Sequence, residues 1–203
     1  TVVDNYLARK TILANNTLIT AEPTLTTSSI AAGDADGLYK SNVTDSGDAT
    51  YYFRGNVENN YISFANLTWR IIRINEDGTV RIILPKGIND NANYTIYNGS
   101  YQGYNNMYYS NSKAGSYLSS WYETNLSSYS DYIYQSAVYC EQMKVYASTY
   151  SCNDSNAKLL ADYTPDFKCS TDANGKGVVT APIGLISIDE AVYAGTFSGK
   201  ANS

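Results

Sequence analysis

The chain has 203 residues, with 14 Lys and Arg against 19 Asp and Glu for a net charge of −5, and it contains no histidine. Without histidine there is no Ser-His-Asp or Cys-His nucleophile, no imidazole base and no His-ligated zinc or haem. An acidic chain without clusters of Lys and Arg is not expected to bind nucleic acid, and no run of about 18 apolar residues exists to span a membrane as a helix.

Tyrosine fills 21 positions, against 4 for Phe and 2 for Trp. A tyrosine ring buries a large area but its hydroxyl needs a partner, so many rings are expected at half-wet positions. Charged residues make up 16% of the chain, below the roughly 25% of typical domains. Contact with water must therefore rest on Asn, Ser, Thr and Tyr, a profile common in secreted and surface-exposed proteins. The length suits one large domain or two small ones. The chain starts at Thr1 rather than Met, so either a signal segment removed upstream or an arbitrary start to the piece is expected.

Residues 3–16, with Val3, Tyr6, Leu7, Ile12 and Leu13 at helical spacing, predict a short amphipathic helix capped by Asp4. Residues 17–37 read as a linker or a loose strand lying on a neighbour, ending in an Asp34-Ala35-Asp36-Gly37 turn. We therefore divide the chain into an N-terminal helix and linker, residues 1–36, and a main domain, residues 37–203. The strongest β signal lies in residues 50–84. Strands are expected at 50–55, 61–64, 67–74 and 79–84, the last two joined as a hairpin across Asn75-Glu76-Asp77-Gly78. Arg70, Arg73 and Arg81 sit among apolar residues there. Carboxylates could hold them on one face, but the reading we adopt has their stems covering apolar surface and their heads in water. Residues 87–112 form a long polar segment dense in Asn, Tyr, Gly and Ser. Residues 114–125 read as a helix through Tyr117, Leu118, Trp121 and Tyr122, and 131–146 as a second helical or irregular segment. Residues 178–186 read as extended. Ser187-Ile188-Asp189-Glu190 is a capping box opening a short helix over 189–194, which Gly195 ends.

Cys140, Cys152 and Cys169 lack CxxC spacing and suit a disulfide-bonded loop in an oxidising compartment. Three pairings are open and spacing does not choose among them; we favour Cys140–Cys169 with Cys152 left over. Asp34-Ala35-Asp36-Gly37 and Asp172-Ala173-Asn174-Gly175 place oxygens beside a glycine but lack the alternating ligands and twelfth-position Glu of a calcium loop. We read both as turns, and expect neither a metal nor a cofactor. Asp189 and Glu190 are explained by capping. The seven Asn-x-Ser/Thr sequons, from Asn15 to Asn153, are what this composition yields by chance.

Several strings in order resemble a family: Gly37-Leu38-Tyr39-Lys40, Tyr51-Tyr52-Phe53-Arg54-Gly55, Trp69-Arg70-Ile71-Ile72-Arg73-Ile74-Asn75 with Asp77-Gly78-Thr79, Trp121-Tyr122, and Gly184-Leu185-Ile186 with Asp189-Glu190. They are similar to secreted and surface proteins of Firmicutes and related gut bacteria that carry a C-type-lectin-like, sulfatase-modifying-factor-like domain. The resemblance covers about residues 37–195. It implies an α+β fold: a twisted antiparallel sheet with two or more flanking helices and long loops. Family members continue into two closing strands that this chain lacks, so the domain is expected to be incomplete at its C-terminus or completed by another chain. The Glu-Pro-Asn, Gln-Pro-Asp and Trp-Asn-Asp motifs of sugar-binding C-type lectins are absent, and no catalytic residue carries over.

No triad, phosphate loop or dinucleotide fingerprint occurs, so an enzyme is not expected. Tyr with Asn and Ser makes adaptable recognition surfaces. Tyr94, Tyr97, Tyr101, Tyr104, Tyr108 and Tyr109 are therefore the candidate binding residues. They would serve a non-catalytic extracellular or cell-surface adhesion module for a protein or glycan ligand. The alternative is a structural subunit of an extracellular filament or surface layer, a homo-oligomer assembled by strand or helix exchange.

Overall fold

The computed structural model describes residues 2–25, 34–88, 109–141, 165–169 and 177–195. Five strands make the larger antiparallel sheet: β1 (Gly37–Ser41), β2 (Thr50–Arg54), β3 (Tyr61–Phe64), β4 (Leu67–Ile74) and β5 (Val80–Ile83). β4 is the spine. β3 pairs with residues 67–70, β2 with Arg73 and Ile74, and β5 with residues 70–74. Because β5 overlaps both of the others, β2 and β3 must share one edge of β4 and β5 must hold the opposite one. Between β3 and β2 that shared edge has a gap at Ile71, and Asn60 fills it. Its carbonyl accepts from the Ile71 N–H at 2.7 Å and its side-chain amide donates to the Ile71 carbonyl at 2.9 Å.

The β4–β5 register shifts between Ile71 and Arg73, which makes Ile72 a bulge. The consequence follows from the period of two along a strand. Residues three apart, normally on opposite faces, now share one. Ile71 and Ile74 join Leu38 and Phe53 on an apolar face, against which Ile12 and Leu13 of α1 (Val2–Ala14) pack. Arg70 and Arg73 turn to the other face with Arg54 and Arg81, the side that carries Tyr39 and Tyr52.

α2 (Lys113–Asn125) puts Leu118, Trp121 and Tyr122 on one buried stripe at helical spacing, and Trp121 meets Trp69 edge-on at 6.4 Å. Ser112 caps it by accepting from the Gly115 N–H at 2.9 Å. A β-carbon on Gly115 would stand 2.2 Å from the Tyr109 carbonyl oxygen. A two-stranded ribbon, β6 (Ala137–Cys140) with β7 (Val178–Ala181), and α3 (Ile188–Tyr193) complete the described elements.

α3 lies on the arginine face, held there by Arg54, which is 1% exposed. The Arg54 Nε and Nη2 donate to Asp34 Oδ2 at 2.9 and 2.7 Å, and Nη2 also to the Thr24 carbonyl at 3.0 Å. Nη1 donates to the carbonyls of Val192 and Tyr193 at 2.8 and 3.0 Å. All five guanidinium donors are used, and two meet carbonyls of the last turn of a helix, where a cation is favoured.

The structure bears out the α+β class, the antiparallel sheet, the 75–78 hairpin and the capping box. It corrects three expectations. β1 was not foreseen as a strand. In residues 131–141, the described part of the segment read as helical or irregular, the end of a 3-10 helix over Ser127–Tyr132 gives way to the strand β6. The helix α1 starts at Val2, so Asp4 lies in its first turn and not at its cap.

Two predictions follow from the packing. Burial works to raise the Asp34 pKa, but the Thr24 N–H and the Arg54 guanidinium outweigh it and hold the group below its ordinary 3.8. Asp34→Asn, which leaves Arg54 buried without its counter-charge, should cost about 3–5 kcal/mol in urea denaturation at pH 7. The carboxylate's contribution is complete above the unfolded value and is lost as pH falls through the lower folded one. The wild type should therefore lose an acid limb of stability that the variant lacks. Separately, Gly115→Ala should destabilise by roughly 1–3 kcal/mol despite its better helix propensity, because backbone cannot move aside for the new methyl. A thermal melt reads the sign.

Candidate functional site

The hairpin turn sets the site. Asp77 Oδ1 accepts from the Thr79 N–H at 2.9 Å and the Thr79 hydroxyl at 2.6 Å, and Gly78 takes φ 85°. This tight reversal swings Glu76 back onto Arg73, whose Nη2 donates to its Oε1 at 2.6 Å. Across the hairpin, Arg73 stands directly opposite Arg81. Two cations in cross-strand register repel, and Glu190 on α3 resolves the conflict. Its Oε1 accepts from Arg81 Nη1 at 2.8 Å and from Arg73 Nη1 at 3.4 Å. Its Oε2 meanwhile accepts from the Ser187 N–H at 3.0 Å, while the Ser187 hydroxyl accepts from the Glu190 N–H. One buried carboxylate thus serves as counter-ion for two arginines and as half of a capping box.

Aromatic rings complete the guanidinium surroundings. The Phe167 centroid lies 4.4 Å from Arg73 Cζ and the Tyr139 centroid 4.6 Å from Arg81 Cζ. Arg73 Nε also donates to the Thr50 hydroxyl at 2.7 Å. Burial pulls the Arg73 pKa below its ordinary value, and Glu190 and Glu76 offset part of that. Burial likewise raises the Tyr139 phenol, with Arg81 opposing.

Above this network opens a cleft of about 300 Å³. Its walls are the β4–β5 turn, β6, the N-terminus of α3 and residues 165–169, here called the strap. Arg73, Glu190 and Phe167 form its buried floor, and Tyr134 and Val138, 51% and 47% exposed, stand at its edge. The disulfide Cys140–Cys169, with Cα atoms 4.9 Å apart, joins β6 to the strap along one side. Among the described residues, no group of three or more Asp, Glu, Cys or His side chains could hold a metal ion.

Of the candidate binding tyrosines, Tyr94, Tyr97, Tyr101, Tyr104 and Tyr108 lie outside the described residues, as do Cys152 and residues 172–175. Tyr109 is buried. Its hydroxyl donates to the Ile183 carbonyl at 2.9 Å, its N–H donates to the Glu141 carbonyl at 2.7 Å, and burial pushes its pKa up to about 12. Asp34 is committed to Arg54, as a turn residue with a structural task. Two expectations are overturned. The heads of Arg70 and Arg73 are not in water but buried, 7% and 8% exposed. Glu190 is not accounted for by capping alone. The hairpin carried a partial signal: its register sets Arg73 against Arg81, a pair that a counter-ion between them would relieve.

Glu190→Gln removes the charge while an amide can still close the capping box. It should cost about 3 kcal/mol in urea denaturation with an unchanged m-value, whereas Glu76→Gln, at a more exposed position, should cost about 1 kcal/mol or less. Equal costs would refute the central role of Glu190. The chain matches no protein-family model, no curated protein and no solved structure.

Proposed function

We propose that the chain is a non-catalytic binding or adhesion module that works outside the cell or at its surface, with a protein or glycan ligand. The observation that carries this is the character of the cleft. Its floor is built from ions that neutralise one another and are tied to backbone, while its edge presents an aromatic ring and an aliphatic side chain to solvent. A floor of that kind supports recognition by shape and hydrogen bonding. The Cys140–Cys169 disulfide favours an oxidising compartment. An antiparallel sheet with flanking helices is compatible with a C-type-lectin-like domain. The Tyr/Asn/Ser segment 87–112 is firmly rooted at its described ends, with Ile88 against the Trp69–Trp121 cluster and Tyr109 beside β6.

The alternative, an assembling structural subunit, has one observation in its favour. Among the described residues, β5 pairs only with β4 and β7 only with β6, so each offers an edge for strand addition.

A glycan array and a pull-down from cell-surface extracts test the binding reading. Tyr134→Ala, and separately Tyr97→Ala with Tyr101→Ala, should each weaken the captured interaction about tenfold, roughly 1.4 kcal/mol, with the melting temperature unchanged. Failure to bind any partner, or binding indifferent to all these changes, would discard it. Size-exclusion chromatography that shows assemblies above the monomer would favour the alternative.

A further inference from the structure

We propose that the Cys140–Cys169 disulfide is a redox latch on the cleft: a dithiol reductant that opens it releases the two walls from each other while the rest of the fold stands. Each wall is rooted in a different part of the molecule. β6 is held by pairing with β7 over four residues, by the Glu141 N–H donating to the Gly177 carbonyl at 3.2 Å, and by Arg81 Nη2 donating to the Val138 carbonyl at 2.5 Å. The Tyr139 ring adds to this, lying between Arg81 and Gly184, where a β-carbon would stand 2.3 Å from the ring.

The strap is rooted elsewhere. The Phe167 N–H donates to the Val43 carbonyl at 2.8 Å, and the Phe167 ring stacks on Tyr193 at 4.1 Å. Tyr193 donates its hydroxyl to the Pro165 carbonyl at 3.2 Å, and the Asp166 N–H donates to Asp189 Oδ1 at 3.3 Å. The strap thus belongs to the β1–β2 loop and α3, and β6 belongs to β5 and β7. The disulfide is the covalent tie across the cleft between them. Beside it, among the described residues, lies the weak contact of Cys140 Sγ with the Lys168 carbonyl at 4.0 Å.

Both half-buried cysteines line the cleft, so a reductant can approach through it. A thiolate of the dithiol attacks one sulfur, the S–S bond breaks, and a mixed disulfide forms. The second thiol of the reductant then displaces the protein sulfur. Two electrons and two protons pass to Cys140 and Cys169 as thiols, and the reductant leaves as a cyclic disulfide. What opens is the coupling between walls: each keeps its own contacts but loses the restraint that slows its local opening.

The latch goes beyond the binding reading and is tested without any ligand, so either can fail alone. Hydrogen exchange is compared for the oxidised full chain, the chain reduced with dithiothreitol, and the Cys140→Ser/Cys169→Ser variant, all in a Cys152→Ser background that leaves one pair to titrate. Amides of residues 137–141 and 166–169 should exchange about tenfold faster in both reduced and variant forms, with residues 67–74 unchanged and protection restored on reoxidation. Equal loss of protection in residues 67–74 would make the bridge a support of the whole fold and overturn the proposal. No change in any segment would overturn it as well.

Discussion

A buried guanidinium carries five N–H donors and a charge, and every one of them must be met before the surrounding chain can close over it. Removing an ion from water costs several kcal/mol after relaxation. This sheet places four arginines on one face, of which Arg54, Arg70 and Arg73 are buried. The elements on that face are arranged as that constraint requires. Arg54 draws in Thr24 and Asp34 and the end of α3, the last through two carbonyls. Arg70 reaches the Gly55 carbonyl at 3.1 Å. Arg73 and Arg81 converge on Glu190. A six-residue helix is too short to be stable alone, so α3 owes its place to these partners.

The two ends of α3 are matched to its dipole in opposite senses. Glu190 stands in the first turn, where negative charge is favoured, and the Arg54 guanidinium stands at the last carbonyls, where positive charge is favoured. The same helix can therefore satisfy arginines from both ends. This geometry needs Arg73 on the same face as Arg70 and Arg54, and the bulge at Ile72 supplies it. Asn60 makes the bulge tolerable by meeting both polar groups of Ile71 where no strand reaches.

The parts of the fold legible in the sequence are those determined by local pattern. The alternation in residues 67–74 and 80–83, the turn glycine at 78, the stripe through Trp121 and the Ser187–Glu190 box each carry their signal within a few residues. β1 escaped notice because Gly37 and Lys40 break its apolar alternation, and its partner is set by a register with β2 that no short window shows. β6 escaped because residues 137–140 pair with residues 178–181, across the cysteine loop. The arginine network was half legible. Its cations were visible as a cluster, but the bulge that puts them on one face and the distant carboxylate that neutralises them are tertiary facts. The most conspicuous compositional feature, the tyrosine-rich run from residue 94, points to a stretch of which the described structure holds only Tyr109, and that ring is interior.

The neutrality of the cleft floor bears on what the cleft can discriminate. A strongly anionic ligand would have to compete with Glu190 and Glu76 for Arg73 and Arg81, breaking pairs that are already desolvated. A strongly cationic ligand would face the same cost in reverse. The protein's net charge of −5 is also modest, so long-range steering contributes little at physiological ionic strength. Under the proposed binding role, selectivity at this site would fall to shape, to directional hydrogen bonds and to the spacing between its two walls. In that role the Cys140–Cys169 tie would act through the spacing of the walls it joins rather than through the stability of the sheet.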